Sequence, residues 1–438
     1  MDENGELRHG LSNNDVSRYS RQLLLPDFGV RGQCKLKNAV VVIIGAGGLG
    51  CPASIFLGAA GVGEMRIVDF DVVELNNLHR QITHSEAGVY KNEQKTESAC
   101  DSVKRLNSAV KCVPINLILS SDNVFDVIKD GVTVVMDCTD NVATRYLIND
   151  ACVRRGIPLI SASALRWDGQ LTVYNYKNGP CYRCLFPKPP PPETVTNCNE
   201  GGVLGVVPGT MGTLQALEAI KVICGVGEPL SGRLLIFEAL SCSFRTVNIR
   251  GRRNDCMACG DHPTIVSDLL PDYVKFCGSG ACDKIKPLTK LPNHERLSAE
   301  QLRDALANKP CSSSDNDSIS TLYQNIILVD VRPRHEFEIC HLPGSNNIPL
   351  IDLESEDKGP LSIGRLKRLI AAGRNQKDAL CCMICHRGND SQLAVLLARE
   401  QLKDELSKQS GRQSLNIVDL IGGLERWSKV IDPEFPTY

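Results

Sequence analysis

The sequence predicts an α/β protein in two parts, a doubly wound parallel-sheet domain followed by a smaller α/β domain. Three observations lead there. Residues 39–71, AVVVIIGAGGLGCPASIFLGAAGVGEMRIVDFD, pass from an apolar β-branched run through a glycine-rich turn and a small-residue helix into a second apolar run. Strand and helix patterns then alternate as far as residue 162. After an irregular stretch with several prolines, a second alternation begins at residue 296.

In the first part, further strands are expected at 112–118, 132–137 and 157–162, with a helix over 95–107. Residues 187–194, PKPPPPET, suit neither a helix nor a central strand and read as an exposed crossover loop. The stretch 261–295 carries Pro263, Pro271, Pro287 and Pro292 and reads as a linker. In the second part the pattern predicts a helix at 298–307, a strand at 326–331, a helix at 361–372, a strand at 380–384, a helix at 390–403 and a strand at 415–420. A short helix closes the chain, and residues 311–318, CSSSDNDS, read as a solvated loop. The expected domains are therefore 1–260 and 296–438.

The 438 residues are 42% hydrophobic, enough for real cores. With 49 Lys+Arg against 51 Asp+Glu, there is no electrostatic case for direct nucleic-acid binding or for an anionic membrane surface. The start, MDENGELRHG, is unlike a secretory signal, and the apolar run at Ala39–Ile44 is too short to span a bilayer. A cytosolic protein with no membrane segment is expected. Twenty cysteines in such a chain argue for metal ligation and thiol chemistry before disulfides. Cys34, Cys112, Cys152 and Cys224 lie in mixed or apolar segments and read as small buried residues.

Gly45, Gly47, Gly48 and Gly50 follow a strand and open a helix, so the backbone can approach phosphates at a helix N-terminus. Asp69 stands ~20 residues further on, where a ribose-binding acid belongs. A nicotinamide-dependent dehydrogenase would show the same loop. Arg80, Lys95 and Asp140 argue against it, because two cations and a carboxylate suit a triphosphate with Mg²⁺ and a nicotinamide site needs neither.

The stretches RYSRQLLLP (18–26), GAGGLG (45–50), NNLHRQ (76–81), DCTDN (137–141) and SASALRWDGQ (161–170) resemble the MoeB-like adenylating enzymes, relatives of the ubiquitin-activating enzymes. That resemblance implies a Rossmann-like adenylating domain. Asp69 would bind the ribose, and Gly48, Asn76, Asn77, Arg80 and Lys95 would serve the nucleotide. Asp140 and Asn141 would complete an ATP–Mg²⁺ site. It also implies that Arg21 reaches a partner subunit's nucleotide in a homodimer. Lys91 competes with Lys95; the distance from Lys95 to Arg105-Leu106-Asn107 fits the family better.

Cys181 and Cys184 in PCYRC, with Cys256 and Cys259 in DCMAC, make two CxxC pairs that match a structural Cys₄ zinc site, one Zn²⁺ per chain. Either pair alone would read as a redox dithiol. Cys198, in TVTNCNEGGVLG, follows the proline loop in a polar segment. In the branch of the family that the sequence resembles, this cysteine attacks the activated acyl group.

Near the end of the chain, Cys385 opens CHRGNDSQ after a strand and before a helix. Loop N–H groups and a helix N-terminus around a thiol are expected to lower its pKa and to steady an anionic persulfide. The segment IILVDVRPRHEFEICHLPGSNNIP (326–349) and C-x-x-G-x-x-S resemble a rhodanese domain covering 296–438. Cys385 would then carry sulfur, with Asp330, Arg332 and His341 as scaffold. Cysteine phosphatases of related fold need an arginine six residues after the nucleophile; Ser391 stands there. Cys381 and Cys382 read as buried strand positions.

The whole chain thus resembles the eukaryotic enzymes that join an adenylyltransferase to a sulfurtransferase. Such an enzyme adenylates the C-terminal glycine of a β-grasp sulfur carrier and converts it to a thiocarboxylate. The implied carriers are the ubiquitin-related modifier, for tRNA wobble-uridine 2-thiolation, and the small subunit of molybdopterin synthase. A cysteine desulfurase or other donor would load Cys385. Cys198 would form an acyl thioester or resolve an acyl-disulfide. The alternative is a modifier-activating enzyme that forms only a thioester, with an inactive rhodanese domain.

Overall fold

The computed structural model describes residues 10–191, 201–278, 288–307, 325–373, 379–403 and 416–438. The chain divides into two compact units at residues 283/284.

The first unit is built on an eight-stranded sheet of order β3-β2-β1-β4-β5-β6-β7-β8. Its strands are β1 (Val40–Ile44), β2 (Glu64–Asp69), β3 (Lys111–Asn116), β4 (Val134–Asp137), β5 (Leu159–Leu165), β6 (Asp168–Tyr174), β7 (Arg233–Glu238) and β8 (Ser243–Asn248). The strands from β3 to β5 pair in parallel; β6, β7 and β8 extend the sheet antiparallel. Side chains alternate across β1 with period two: Val41 and Ile43 enter one core layer, Val42 and Ile44 the other. That double burial explains why the strand reads as a continuous apolar run.

The order reverses between β1 and β4: from β1 the chain goes on to β2 on one side, and from β4 to β5 on the other. In such sheets ligands bind in the crevice beyond the strand C-termini at that reversal. The glycine-rich turn after β1 lies there, and the Gly50–Ala60 helix follows it. Two glycines are required by close approach: a Cβ on Gly50 would sit 1.9 Å from the Gly45 carbonyl oxygen, and one on Gly45, at φ +101°, 2.6 Å from the Cys138 carbonyl oxygen.

The longest helix described, Val206–Cys224, has no counterpart among the sequence expectations. Pro208, Gly209 and Gly212 obscure its periodicity. Pro208 lies in the first turn, where a missing N–H costs little. Gly212 permits the helix to press on the glycine-loop helix, since a Cβ there would meet the Leu49 carbonyl oxygen at 2.2 Å. The antiparallel extension is likewise beyond the expected strands. The stretch expected as a linker is packed over its first half: Ile265, Leu270, Tyr273 and Cys277 join the core beside the Val142–Arg155 helix. Apolar residues between the prolines give it that anchorage.

The second unit holds a five-stranded parallel sheet of order β11-β10-β12-β13-β9. Its strands are β9 (Arg296–Leu297), β10 (Asn325–Asp330), β11 (Asn346–Asn347), β12 (Ala379–Ile384) and β13 (Asn416–Leu420). On β12, Cys381 and Met383 enter one apolar layer while Leu380, Cys382 and Ile384 enter the other, so the two adjacent cysteines are core residues, as expected. The order reverses between β10 and β12. Helices Gly359–Gly373 and Asp390–Gln401 lie close to the expected spans. The loop expected at 311–318 lies outside the described residues. Among the described residues no helix is long and apolar enough to cross a membrane.

Candidate functional site

Three constellations stand out. The first surrounds the glycine-rich turn. Asp69, at the end of β2, accepts the Ala46 N–H (2.7 Å) on one oxygen and the Asp71 N–H (2.9 Å) on the other. The acid thereby fixes the turn it is expected to serve. Burial raises the Asp69 carboxyl above its ordinary range, and the charge on Lys95 opposes that rise. Lys95 opens the Lys95–Leu106 helix, is only 5% exposed, and pairs with Asp71 at 2.8 Å. Lys91 is exposed at the end of the Glu86–Tyr90 helix. Of the two competing lysines, Lys95 is thus the one gathered beside Asp69.

On the other side of the turn, Arg80 lies along Gly48, its Cγ 3.5 Å from where a Cβ would stand. Its guanidinium donates to Asn77 Oδ1 (2.6 Å) and to the Asn76 carbonyl (3.3 Å). Asn77 is buried and donates to Glu74 (3.0 Å). Asp140 is exposed beyond the C-terminus of β4. Asn141 caps the Val142–Arg155 helix, accepting the Thr144 N–H at 2.8 Å. Arg21 is exposed on the short Ser20–Leu23 helix.

Two supports here carry no sequence signal, because each depends on folded neighbours. The buried His84 places Nε2 3.0 Å from the Ala46 carbonyl oxygen, bracing the turn from behind. Arg145 donates to the Thr139 carbonyl (2.8 Å) and the Ala162 carbonyl (3.0 Å), bracing the DCTDN segment.

The second constellation is the cysteine tetrad. The sulfurs of Cys181, Cys184, Cys256 and Cys259 all lie within 4.8 Å of one another. Contacts of 3.8 Å (181–184), 3.6 Å (181–256) and 3.3 Å (184–259) approach the ~3.8 Å edges of a tetrahedron with ~2.3 Å Zn–S bonds. Hydrogen bonding with Cys181 holds the Cys184 thiol below its ordinary range. The donor set and its enclosure fit a closed zinc site. Beside it, Arg183 is clamped on Asp150 through Nε (2.8 and 3.0 Å) and Nη2 (2.7 Å), which seats PCYRC on the Val142–Arg155 helix.

The third constellation surrounds Cys385, delivered by β12 at the reversal of the second sheet. The Gly388 N–H donates to its sulfur at 3.1 Å. The thiol donates to Ser391 Oγ (3.3 Å), whose hydroxyl donates to Asp419 (3.0 Å), itself held by Arg296 at 2.7 Å. Here the structure corrects an expectation. Cys385 is 1% exposed, and burial raises the thiol pKa; its hydrogen bonds with Ser391 and Gly388 only oppose that rise. Desolvation outweighs the nest because the loop is closed. Cys198 lies outside the described residues.

The glycine-rich turn, with its acid and cations at a sheet reversal, and the cradled thiol at another, are the parts that an adenylating enzyme joined to a sulfur-transfer domain requires. The ThiF family matches residues 19–258, and the rhodanese-like domain matches 316–430. The adenylyltransferase and sulfurtransferase MOCS3 of Xenopus laevis is 48% identical, covering 98% of this chain and 89% of its own. The protein of that name from Mus musculus is 46% identical over 98% of this chain and 89% of its own. Among solved structures, E. coli MccB shares 26% identity with a TM-score of 0.51, covering 58% of this chain and 75% of its own. E. coli MccB with ATP gives 27% and 0.50, covering 58% and 76%. The chain therefore belongs to the ThiF family, among the members that join an adenylyltransferase to a rhodanese sulfurtransferase. It is an enzyme with both activities, adenylyltransferase and sulfurtransferase.

Proposed function

We propose that this enzyme converts the C-terminal glycine of a ubiquitin-like β-grasp sulfur carrier into a thiocarboxylate. The observation that carries the reading is the presence in one chain of a nucleotide turn braced by Asp69, with Lys95 beside it, and of Cys385 cradled by the Gly388 N–H.

In the first step, a carboxylate oxygen of the carrier attacks the α-phosphorus of ATP. An acyl–O–P bond forms, the α–β P–O bond breaks, and pyrophosphate leaves. Asp69 holds the ribose. Gly48, Asn76, Asn77, Arg80 and Lys95 bind the phosphates, and the cations oppose the charge growing on them. Lys95 exchanges its pairing with Asp71 for the triphosphate. Asp140, a hard oxygen donor in the crevice, would hold Mg²⁺, with Asn141 beside it. Mg²⁺ when bound neutralises phosphate charge. Arg21, exposed on its short helix, reaches the nucleotide of a second copy in a homodimer.

In the second step, the terminal sulfur of a Cys385 persulfide, loaded by a cysteine desulfurase or similar donor, attacks the acyl carbon. The C–S bond forms as AMP leaves, giving an acyl-disulfide. The Cys198 thiolate then attacks the Cys385 sulfur, leaving a Cys198–Cys385 disulfide and the free thiocarboxylate; a thiol reductant restores both thiols. Zn²⁺ on Cys181, Cys184, Cys256 and Cys259 serves the fold alone. The products supply sulfur for tRNA wobble-uridine 2-thiolation, through the ubiquitin-related modifier, and for molybdopterin synthesis, through the small synthase subunit. All of this takes place in the cytosol.

The test is the intact mass of a Gly-Gly β-grasp acceptor after incubation with enzyme, Mg·ATP and thiosulfate, for wild type, Cys385→Ala and Cys198→Ala. An oxygen-for-sulfur gain in wild type that is lost in Cys385→Ala is expected. An acceptor that is adenylated but never gains sulfur would sink the reading in favour of simple modifier activation.

A further inference from the structure

Arg332 holds more than its neighbour on β10. It is 1% exposed, grips Asp330 through Nε (3.0 and 3.1 Å), and gives Nη2 to the Cys340 carbonyl (2.6 Å). Its remaining nitrogen, Nη1, donates to the Tyr438 hydroxyl at 2.8 Å. That hydroxyl donates in turn to Glu336 at 2.7 Å. The segment leading to Tyr438 is also anchored: Phe435 packs against an apolar layer, and Cys340 Sγ donates to the Pro436 carbonyl at 3.5 Å. The tyrosine ring, so held, stacks on His386, with centroids 4.6 Å and planes 25° apart.

His386 is the residue immediately after Cys385, and its carbonyl accepts the Glu425 N–H at 2.9 Å. The backbone side of the loop is thus pinned by the Gly423–Val430 helix, and its side-chain side by Tyr438. Because Asp330 is in register with Ile384, the clamp runs from the end of β10, across the sheet reversal, onto the loop that β12 delivers.

We propose that Tyr438 is a positioning residue for the sulfur-carrying loop: by clamping His386 it keeps the loop closed over Cys385, with the Gly388 N–H on the sulfur. The proposal rests on Cys385 as the sulfur carrier. Without the clamp the loop opens more often. Cys385 then becomes easier to alkylate, and a persulfide there is lost faster to added cyanide, which takes the outer sulfur as thiocyanate and leaves the Cys385 thiolate.

The experiment uses the full chain as wild type, Tyr438→Phe, Tyr438→Ala, His386→Ala and the His386→Ala/Tyr438→Ala double variant. Two rates are read: iodoacetamide alkylation of Cys385, by peptide mass, and thiocyanate release from persulfide-loaded enzyme. A stacked aromatic pair with its hydrogen bonds corresponds to roughly fivefold to tenfold faster alkylation in Tyr438→Ala. Tyr438→Phe, which keeps the stack, should fall between. In the His386→Ala background, Tyr438→Ala should add nothing. An alkylation rate within about twofold of wild type, or full additivity of the two alanine changes, overturns the clamp. If Tyr438→Ala does not fold, Tyr438→Phe decides: faster alkylation supports the clamp, and an unchanged rate overturns it. Failure of the carrier reading is seen separately, as sulfur transfer that survives Cys385→Ala, while the alkylation rate still reports on the clamp.

Discussion

The Asp150–Arg183 pair gives the most demanding prediction. Asp150 is fully buried, and its carboxylate also accepts from the Tyr273 hydroxyl (2.6 Å) and from Asn149 Nδ2 (2.9 Å). Asp150→Ala leaves the Arg183 guanidinium enclosed without a counter-charge. Breaking a buried pair from one side costs ~3–5 kcal/mol. Two terms move the figure within that range. The tyrosine hydroxyl loses its acceptor, which adds to the loss. The guanidinium keeps the faces of Tyr146 and Phe276, each 4.8 Å from Cζ, which reduces it. We expect ~3–4 kcal/mol, or ~6–16 °C in the unfolding midpoint of a unit this size. The assay is thermal unfolding of the full chain followed by circular dichroism, with zinc content measured on the same samples. Asp150→Leu/Arg183→Met should recover most of the loss, because two apolar residues of similar volume leave no unpaired charge. A shift below ~2 °C for Asp150→Ala, or a double variant as poor as the single one, would refute the reasoning.

Further outcomes follow from the same geometry. Lys95→Met should slow acceptor-dependent ATP–pyrophosphate exchange by about a hundredfold or more, whereas Lys91→Met should leave it unchanged; equal effects would remove Lys95 from the phosphate site. Because burial raises Asp69, its carboxylate is lost as pH falls through a value above the ordinary ~3.9, so the acid limb of that exchange should lie above the ordinary carboxylate midpoint. A limb at or below that midpoint would show that Asp69 does not control it. Burial pushes the thiols of Cys51 and Cys224 up to about 11 and Cys381 up to about 12. Brief alkylation of the folded enzyme at neutral pH should therefore spare all three and modify the exposed Cys242, as read by peptide mass.

The parts legible in the sequence are those whose chemistry is local. The glycine turn, DCTDN, the CxxC pairs and CHRGNDSQ each pack their meaning into a few consecutive residues. β1 and β12 betray themselves as apolar runs because both faces are covered. Cys112, Cys152 and Cys224, read as small buried residues, are buried, while Cys34 is half-buried. What sequence reading misses is set by contact at a distance. The Val206–Cys224 helix carries glycine where another backbone presses on it, so the residues that make it pack are those that hide it. His84 and Arg145 act on carbonyls supplied by other segments. Tyr438 meets His386 only because the chain folds back on itself. The raised thiol of Cys385 is missed for a related reason: a sequence shows the donors of a nest but not how far the loop closes over it.

That closure bears on how the two chemistries are protected. Both proposed reactive centres lie at the C-terminal ends of parallel strands where the sheet order reverses, but they are guarded differently. At the proposed nucleotide site Lys95 is held by Asp71, an exposed partner, and on that reading a phosphate oxygen displaces the carboxylate without unpacking anything. Among the described residues Cys385 has no such solvent-facing partner. Its contacts are Gly388 and Ser391, and behind Ser391 stand the buried Asp419 and Arg296. A thiol so enclosed is protonated and slow toward passing electrophiles at neutral pH, which matters in a chain of twenty cysteines. On the proposed role of Cys385, loading sulfur onto it requires the loop to open, and the rate of loading then depends on the residues that hold the loop shut as well as on the sulfur donor. A substitution in the clamp should therefore change thiocarboxylate formation while leaving pyrophosphate exchange as it was.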